Sequence, residues 1–335
     1  KIGIMGAGSI GCFVGGRLAA IGEDVCFVGR QPLGDEIATH GMQLTAVDGT
    51  VTALSPDQVS WTTDAAALSD CAVVFVAVKG LATDAVAREL RGILAEDCAV
   101  FSLQNGVTNA GILRDHLGPR VVAPCMVSFN VLRRGEGRFL QGTGGPLALG
   151  TDAPADVVRR LQKTGLEVSL HDDMRAVLWG KLLINLNNAI NALADVPLLD
   201  EFRDRRLRRV LAAAIVEGRA ALTAAGIRPV SFLPVPYWVL TGVLRLPTWA
   251  FVRIARSMVA IDPQARSSMW EDLQRGRQTE VHLLNGAVVD LGRRYGIPTP
   301  VNAQIVAAIS AAERGEDTQN ALDVLIRLVS PHPGG

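Results

Sequence analysis

A glycine-rich loop near the beginning of the chain constrains the fold most strongly. It follows the apolar segment Lys1–Met5 directly, and an apolar helical run begins within it at Ser9. The loop has the G-x-G-x-x-G pattern and consists of Gly6, Ala7, Gly8, Ser9, Ile10 and Gly11. Its first glycine would make a tight turn, its second would let the backbone approach a pyrophosphate, and its third would let the helix pack against the sheet. In this strand–loop–helix context the loop predicts dinucleotide binding at a helix N-terminus, the alternative being a tight turn without a ligand.

The rest of the first half alternates Val-rich strands with helical runs. Predicted strands are 1–5, 25–28, 72–78, 99–103 and 121–127, and predicted helices are 9–21, 81–91 and 109–117. Nearly continuous apolar strands are typical of a parallel sheet covered on both faces. Residues 42–47 and 50–54, separated by Asp48-Gly49, predict an inserted hairpin, and 147–150 and 167–170 could extend the sheet. The prediction is an α/β, doubly wound, Rossmann-like domain with a mostly parallel sheet.

The second half reads almost entirely as helices. These are predicted at 174–194, 203–225, 248–261, 265–275, 280–295, 302–314 and 318–329. Val281, Leu284, Val288, Leu291 and Tyr295 have the spacing of a buried helical stripe. We therefore predict a cofactor-binding domain at residues 1–170 and an all-α substrate and catalytic domain at 171–335.

Composition supports a two-domain enzyme without a charged macromolecular partner. The 335 residues suffice for two domains of roughly 100–200 residues each. The formal net charge of +0 argues against a nucleic-acid partner. The five cysteines (Cys12, Cys26, Cys71, Cys98, Cys125) are far apart, which predicts buried reduced thiols and no metal site. With no signal segment before Lys1, we expect a cytoplasmic protein.

The apolar stretch 228–258 needs separate interpretation. Pro234, Pro236 and Pro247 interrupt it, as do Arg245 and Arg253, so it does not resemble the roughly 20 uninterrupted apolar residues of a membrane span. We expect no membrane contact. The stretch is compatible with a buried or lid segment, or with a homodimer contact.

Arg30 bears on the choice of cofactor. NAD sites carry an Asp or Glu about 20 residues after the glycine loop, where it binds the ribose 2′-hydroxyl. Here the second strand ends in Phe27-Val28-Gly29-Arg30, with a cation in place of the anion. A guanidinium suits a 2′-phosphate, which predicts NADP rather than NAD; the alternative is a surface arginine facing solvent.

Lys181 is the principal candidate for chemistry in the second half. Four of the 33 basic residues are lysines and the other 29 are arginines, and Arg effectively never releases its proton. Lys181 lies within an apolar helical run, and Asn185, four residues on, projects from the same face. The lysine is either snorkelling to the surface or poised as a general acid with a lowered pKa.

Further candidate polar residues lie later in the helix that carries Lys181 and in the segment 268–280. Asn187, Asn188 and Asn191 require partners, which either a polar substrate or a facing helix would supply. Ser268 and Glu280 would lie about 18 Å apart on one continuous helix, but Gly276 could end that helix and Thr279 cap the next. Such a turn would bring Ser268 and Glu280 into one pocket, whereas the alternative role of Glu280 is helix stabilisation through the helix dipole.

Taken together, these motifs resemble the ketopantoate reductase (2-dehydropantoate 2-reductase) family in order along nearly the whole chain. The matching segments are the glycine loop, Val78-Lys79-Gly80, Leu103-Gln104-Asn105-Gly106, Trp179-Gly180-Lys181 with Asn185, Ser268-Met269 through Thr279-Glu280 to Asn285-Gly286, and Gly296 to Asn302. The resemblance implies NADPH-dependent reduction of ketopantoate to pantoate, a step in pantothenate and coenzyme A synthesis.

The resemblance also implies roles for individual residues. Lys181 would be the general acid, and Glu280 would orient it and accept a substrate hydroxyl. Asn185 and Ser268 would hold the polar groups of the keto acid. Asn105 would lie near both nicotinamide and substrate, and Lys79 and Arg30 near the adenosine phosphate.

Two positions depart from the family pattern. Ala189 and Ala265 stand where members of the family carry further substrate-binding asparagines, and Asn188 could replace the first of these. The departures leave open a related NADP-dependent 2-keto or 3-hydroxy acid oxidoreductase with another substrate. A non-enzymatic NADP sensor would need the glycine loop and Arg30 but neither Lys181 nor Glu280.

Overall fold

The computed structural model describes residues 1–232, 235–255, 264–318 and 320–330. The chain forms two compact units, Lys1–Val177 and Leu178–Gly335. The predicted boundary near residue 170 falls inside a strand, Val168–His171, whereas the units divide within the helix Met174–Asn185.

The first unit is built on a six-stranded parallel sheet. Its strands and those of two smaller sheets are β1 (Ile2–Met5), β2 (Val25–Val28), β3 (Met42–Thr45), β4 (Val51–Leu54), β5 (Ser60–Thr62), β6 (Val73–Val76), β7 (Ala99–Ser102), β8 (Val122–Pro124), β9 (Met126–Val127), β10 (Val131–Arg133), β11 (Arg138–Gln141), β12 (Leu147–Gly150) and β13 (Val168–His171). The main sheet has the order β5-β2-β1-β6-β7-β8. In the central strand β1, Ile2 pairs with Val25 of β2 on one side and with Val73 of β6 on the other.

Helices cover both faces of this sheet. They are α1 (Ser9–Ala20), α2 (Gln31–His40), α3 (Thr83–Arg91), α4 (Asn109–Leu117) and α5 (Ala155–Lys163), with short 3₁₀ turns at Pro56–Gln58, Ala65–Leu68 and Gly80–Ala82. Phe13 of α1 packs in one apolar core with Ile4 of β1. On the other face, Leu90 of α3 packs in a second core with Val74 of β6. The predicted α/β doubly wound fold is confirmed, because buried Val-rich strands require covering on two sides.

Two of the predicted strands belong elsewhere. The stretch 121–127 divides into β8 and β9 at Cys125, whose amide makes the last bond to β7, to the Ser102 carbonyl oxygen at 2.8 Å. Strands β12 and β13 form at the expected residues, but they do not extend the main sheet. They form a separate sheet of order β13-β12-β9, in which Leu147 pairs with Val127. The predicted extension was therefore wrong, since the chain leaves the main sheet after Cys125 and pairs with β12 through β9.

The predicted hairpin is confirmed and belongs to a third sheet. Met42 pairs with Leu54 in the antiparallel β3–β4 ladder. Strands β10 and β11, which were not predicted, complete this sheet in the order β10-β11-β3-β4. The side chains of all five cysteines are buried and reduced in the first unit.

The second unit is helical throughout the part that the structure describes. Its helices, the first beginning just before the boundary, are α6 (Met174–Asn185), α7 (Asn187–Ala194), α8 (Leu198–Arg203), α9 (Arg205–Ala224), α10 (Tyr237–Arg245), α11 (Thr248–Ile254), α12 (Ser268–Gln274), α13 (Asn285–Tyr295), α14 (Pro300–Glu313) and α15 (Ala321–Leu328). The predicted helix 280–295 is a 3₁₀ turn, Val281–Leu283, followed by α13. Its apolar stripe is buried from Val281 to Leu291, but Tyr295 is 41% exposed. The predicted helix 248–261 is observed up to Ile254, and residues 256–261 lie outside the described residues.

The apolar stretch 228–258 contains two short helices, each following a proline. Pro236 precedes α10 and Pro247 precedes α11, where a fixed φ suits a helix start. Tyr237 and Phe251 are buried, whereas Trp238 and Trp249 are 64% and 76% exposed. Among the described helices of the chain, none is both long and apolar enough to cross a membrane.

Candidate active site

The glycine loop has the geometry predicted at each of its three glycines. Gly6 has a φ of +94°, and a Cβ there would lie 2.5 Å from the backbone nitrogen of Val78. A Cβ at Gly11 would lie 2.6 Å from the carbonyl oxygen of Gly6, so the helix packs closely against the turn. A Cβ at Gly8 would instead point into space that no described residue occupies within 4 Å. The loop thus closes on itself at Gly6 and Gly11 and leaves Gly8 approachable.

The start of α1 fits an anion. Gly8 is its N-cap, and the amide of Cys12 makes the first helical bond, to the Gly8 carbonyl oxygen at 2.8 Å. The first turn, Ser9-Ile10-Gly11, carries no charge, and the amides of a first helical turn lack intrahelical acceptors. Together with the helix dipole, these amides can hold a pyrophosphate.

Arg30 stands at the tip of the second strand, as predicted. It is exposed and occupies the N-cap position of α2, where its carbonyl oxygen accepts the amides of Leu33 and Gly34, each at 3.2 Å. The indole of Trp61 fixes this turn from β5: a Cβ at either Gly29 or Gly34 would lie 2.4 Å from it. Sequence reasoning missed Trp61, and the two glycines flanking Arg30 were the only local signal.

Lys79 and Asn105 follow two adjacent strands of the main sheet. Lys79 lies just after β6, before the 3₁₀ turn Gly80–Ala82, and Asn105 lies just after β7. Both residues are exposed. The carboxyl ends of parallel strands are where doubly wound sheets bind ligands, so both residues occupy the edge that holds the glycine loop.

A buried hydrogen-bond network fixes this edge. The Gln104 amide donates to the Val78 carbonyl oxygen (3.1 Å) and to the Thr83 hydroxyl (2.7 Å). The Asn109 amide donates to the carbonyl oxygen of Asn105 (2.5 Å), and its Oδ1 lies 2.8 Å from the Thr83 hydroxyl. Sequence reasoning missed these three residues as site-forming, although polar residues after neighbouring parallel strands are a usable signal.

Lys181 and Asn185 lie one turn apart on α6, as the 3.6-residue period requires. Lys181 is partly buried, and burial lowers the pKa of its ammonium to about 8. Of the two predicted alternatives, this favours a lysine poised for proton transfer over one that snorkels into water.

The helix carrying Lys181 is held closely at the preceding residue. A Cβ at Gly180 would lie only 2.0 Å from the carbonyl oxygen of Val230. The hydroxyl of buried Tyr237 donates to the Gly180 carbonyl oxygen at 2.7 Å and lies 3.2 Å from that of Val230. Gly180 in the Trp179-Gly180-Lys181 motif therefore permits a backbone contact that no larger residue would.

Of the α7 asparagines, Asn191 shows one of the two predicted roles. The Asn191 side chain is fully buried and bonded within the protein, to Val196, Glu201 and Ser267. For Asn191 the contact between segments is therefore the correct alternative. Asn188 is partly buried, and its carbonyl oxygen accepts the Ser267 hydroxyl at 2.9 Å. Ser268, the first residue of α12, is thereby placed beside α7 and is exposed within its unit.

The predicted break between α12 and Glu280 is present, but the N-cap of the following 3₁₀ turn is Glu280 rather than Thr279. The helix ends at Gln274, and Gly276 adopts a φ of +59°. The Thr279 hydroxyl accepts the Val281 amide at 3.2 Å, while the Thr279 amide donates to the Glu313 carboxylate at 2.7 Å. Partly buried Glu280 then begins the 3₁₀ turn.

The two departures from the family pattern occupy different surroundings. Ala189 is fully buried within α7, in the helical core. Ala265 is partly buried, and its carbonyl oxygen accepts the amide of Leu198 at 2.9 Å. In the described part of the chain, no group of three or more His, Cys, Asp or Glu side chains is placed to hold a metal ion.

The first unit has a doubly wound sheet with an approachable glycine loop, and the helical second unit carries a lysine with a lowered pKa. These features define the class of the protein: a nicotinamide-dinucleotide-dependent oxidoreductase. Family models refine this class. Residues 2–154 match the model of ketopantoate reductase PanE/ApbA, and residues 173–313 match its C-terminal model. The chain belongs to the ketopantoate reductase family.

Individual relatives agree with this assignment. A 2-dehydropantoate 2-reductase of Halobacterium salinarum is 29% identical over 322 residues, which cover 94% of this chain and 99% of the relative. The crystal structure of a PanE/ApbA family ketopantoate reductase from Ralstonia eutropha is 30% identical, has a TM-score of 0.80 and covers 94% of this chain and 99% of its own. The fold is also similar to that of a D-mandelate dehydrogenase solved with NADH and anilino(oxo)acetate, at 18% identity and a TM-score of 0.74, over 94% and 99% of the two chains.

Proposed function

We propose that this protein is an NADPH-dependent 2-dehydropantoate 2-reductase, which reduces ketopantoate to pantoate. The observation that carries the proposal is Lys181: a partly buried lysine whose pKa is lowered to about 8, one turn before Asn185, in a chain of this family. An amine with that pKa can be charged at neutral pH and still release its proton readily.

In this mechanism the reduced nicotinamide supplies the hydride that reaches the keto carbon. Lys181 donates its proton to the carbonyl oxygen as the C=O π bond breaks, so the product is the 2-hydroxy acid. The ammonium also stabilises the negative charge that develops on that oxygen. Lys181 is left as a neutral amine and recovers its proton from solvent, which closes the cycle.

Glu280 is proposed to orient the Lys181 ammonium and to accept a hydroxyl of the substrate. Asn185, Asn188 and Ser268 are proposed to bind the remaining polar groups of the keto acid. Ammonium, amide and hydroxyl groups suit an anionic, oxygen-rich substrate because they provide donors to carboxylate and carbonyl oxygens.

The cofactor is proposed to be NADP. The glycine loop, Gly6 to Gly11, would hold the pyrophosphate, and Arg30 and Lys79 would face the adenosine phosphate. Asn105 would lie near the nicotinamide and substrate. Exposed Arg30 at the tip of β2 supports NADP over NAD, because a carboxylate would be needed there for an unmodified ribose.

The test is NADPH oxidation with a panel of 2-keto acids. We expect ketopantoate to give the highest kcat/KM and pantoate to be the product. Absence of turnover with every acid, while NADPH still binds, would overturn the reductase proposal and leave a sensor.

A second candidate is a reductase of another 2-keto acid. Fully buried Ala189 favours it, since this side chain cannot supply the substrate contact that an asparagine provides in relatives. A higher kcat/KM for an aromatic or branched 2-keto acid than for ketopantoate would establish this candidate.

The oligomeric state is proposed to be a homodimer, and the site of action the cytoplasm. Trp238 on α10 and Trp249 on α11 are large apolar side chains that are mostly exposed, which suits a subunit contact. The five buried reduced thiols suit a reducing compartment. Light scattering of the purified protein would decide between monomer and dimer.

A further inference from the structure

Asn191 makes three hydrogen bonds with one buried side chain. Its amide nitrogen donates to the Val196 carbonyl oxygen at 3.0 Å and to the Glu201 carboxyl group at 2.8 Å. Its oxygen accepts the backbone amide of Ser267 at 2.8 Å. The side chain is 0% exposed and Glu201 is 2% exposed, so Asn191 has no solvent to replace any of these partners.

The hydroxyl oxygen of Ser267 caps the N-terminus of α12 and so determines where this helix begins. The Ser267 hydroxyl accepts the Trp270 amide at 3.1 Å as the N-cap of α12, and lies 2.9 Å from the Asn188 carbonyl oxygen. Ser267 is therefore bound through its amide to the Asn191 side chain and through its hydroxyl to the Asn188 backbone. Ser268 is the next residue, so its position relative to α7 follows from these bonds.

A second set of contacts holds the same segment from the end of α7. The Asp195 carboxylate accepts Arg266 at 3.0 Å and the indole nitrogen of Trp270 at 2.6 Å. The Arg266 guanidinium lies 4.3 Å from the ring centroid of Trp270. These groups are more exposed than Asn191, and exposed ion pairs fix a geometry only weakly.

We propose that Asn191 is a positioning residue for substrate binding, which holds Ser268 in register with the Lys181–Asn185 face across the α6–α7 helices. This rests on the proposed function, since it assigns Ser268 to the substrate. Asn191 itself touches no substrate; its three partners are all protein groups. An asparagine is required because the position needs two donors and one acceptor on a short side chain.

Glu201, the buried group that accepts the Asn191 amide, supports this arrangement. Burial raises the pKa of its carboxyl group to about 8, with hydrogen bonds from Asn191 and Asn187 opposing the rise. The carboxyl group therefore binds the Asn191 amide without the cost of an isolated buried charge.

The chain offers a matched control in Asn302. This side chain is also 0% exposed, and its amide donates to the Ala214 carbonyl oxygen (3.1 Å) and the Glu217 carboxylate (2.8 Å). Its oxygen accepts the Asn285 amide at 3.1 Å. Asn191→Ala and Asn302→Ala thus remove equivalent sets of buried hydrogen bonds.

We expect both variants to lower the melting temperature by similar amounts. Only Asn191→Ala should raise KM for the keto acid, by about tenfold, as when a hydrogen bond to a charged group is weakened. Its kcat and its KM for NADPH should stay within about twofold of wild type, since Lys181 and the first unit are unchanged. Equal changes in keto-acid KM for the two variants would reduce Asn191 to a structural residue.

A double-mutant cycle with Ser268→Ala identifies the route of the effect. If Asn191 acts through Ser268, adding Asn191→Ala to Ser268→Ala should change the KM of the keto acid by less than about twofold. Asn302→Ala should remain additive in the same background. An undiminished effect of Asn191→Ala in the Ser268→Ala protein would overturn the proposal.

Amide hydrogen exchange separates failure of this inference from failure of the proposed function. Exchange at the Ser267 amide should be faster in Asn191→Ala than in wild type and unchanged in Asn302→Ala, with no substrate present. Unchanged exchange in Asn191→Ala would refute the anchoring whatever the enzyme reduces. If Asn191→Ala does not fold, Asn191→Ser, which shortens the side chain but leaves a hydrogen-bonding group beside Glu201, replaces it in both measurements with the same expected results.

Discussion

Lys181 combines two properties that seldom occur together in a lysine. It lies on α6 next to Gly180, whose carbonyl oxygen accepts the Tyr237 hydroxyl, and burial lowers its pKa below that of a solvated amine. Replacing it should therefore affect the chemical step rather than the fold. We expect Lys181→Ala to lower kcat by about 10²–10⁴-fold, the contribution typical of a general acid. The exposed Lys163, at the end of α5, provides the control: Lys163→Ala should retain wild-type kcat.

The pH dependence of reduction follows from the same lysine. A general acid must carry its proton, so kcat/KM should be constant at low pH and fall as the pH rises through about 8. Because desolvation disfavours the charged form, the limb lies below the ordinary lysine pKa of 10.5. A limb near 10.5 would contradict burial of the amine. Lys181→Arg should lower kcat by about 10²–10⁴-fold at every pH and lack the limb near 8, since a guanidinium keeps its proton.

Arg30 determines the expected preference between the two nicotinamide cofactors. Arg30→Ala should raise the Kd of NADPH by about tenfold to a hundredfold, which corresponds to losing a charge-assisted hydrogen bond. The Kd of NADH should change by less than about twofold. Fluorescence titration of both cofactors measures this, with Arg91→Ala in α3 as the exposed control. Equal losses for NADH and NADPH would refute a 2′-phosphate contact.

The proposed site residues differ in how far the sequence alone could place them. That Lys181 and Asn185 lie on one helical face was predictable, because helical periodicity places residues four apart on the same side. Asn191 and Ser267 meet across 76 positions of the chain, and no local pattern encodes such a contact. Trp61 and Thr83 were missed for the same reason, since each acts through contacts made only when strands or loops assemble.

The contact between α6 and the segment before α10 is a second test of the structure. A methyl group at Gly180 would collide with the Val230 backbone, so Gly180→Ala should reduce the free energy of unfolding by about 1–3 kcal/mol. Gly242, inside α10, is the matched helical glycine, because its Cβ would meet no described atom within 4 Å. Gly242→Ala should instead stabilise the protein by about 0.5–1 kcal/mol. Urea denaturation of both variants measures the difference, and equal effects would contradict the close contact.

Secondary-structure elements were predicted best where local chemistry decides them. Five of the six strands of the main sheet are mainly apolar, and their bounds agree with the sequence pattern to within a few residues, whereas β5 (Ser60–Thr62), which is polar at both ends, was not predicted. The pattern could not reveal that β12 and β13 form a separate sheet, because this depends on the pairing of β12 with β9, which forms only when the strands assemble. It also could not separate α6 from α7, since Leu186 keeps helical backbone angles at the division.

The division of the chain into two units was visible in the sequence as a change from alternating strands and helices to helices alone. The position of the division was less visible, because it falls inside a helix rather than in a linker. Net charge, by contrast, describes the complete chain, and a value of +0 argues only against a charged macromolecular partner.

Because all five cysteines lie in the first unit, unfolding of this unit can be measured by thiol labelling. All five thiols are buried there, and burial raises the pKa of Cys71 to about 12 and of Cys98 to about 11. A thiolate reagent should therefore label the native protein slowly and react with five equivalents after denaturation. NADPH should slow labelling, since ligand binding stabilises the folded state. Rapid labelling of native protein would contradict the burial.

The tryptophans are distributed in the opposite way. Of the five tryptophans, only Trp61 lies in the first unit, and Trp179, Trp238, Trp249 and Trp270 lie in the second. Thiol kinetics and tryptophan emission are consequently two intrinsic reporters, one weighted to each unit. Followed together during heating, they would reveal whether the two units melt cooperatively or in sequence, without any introduced label.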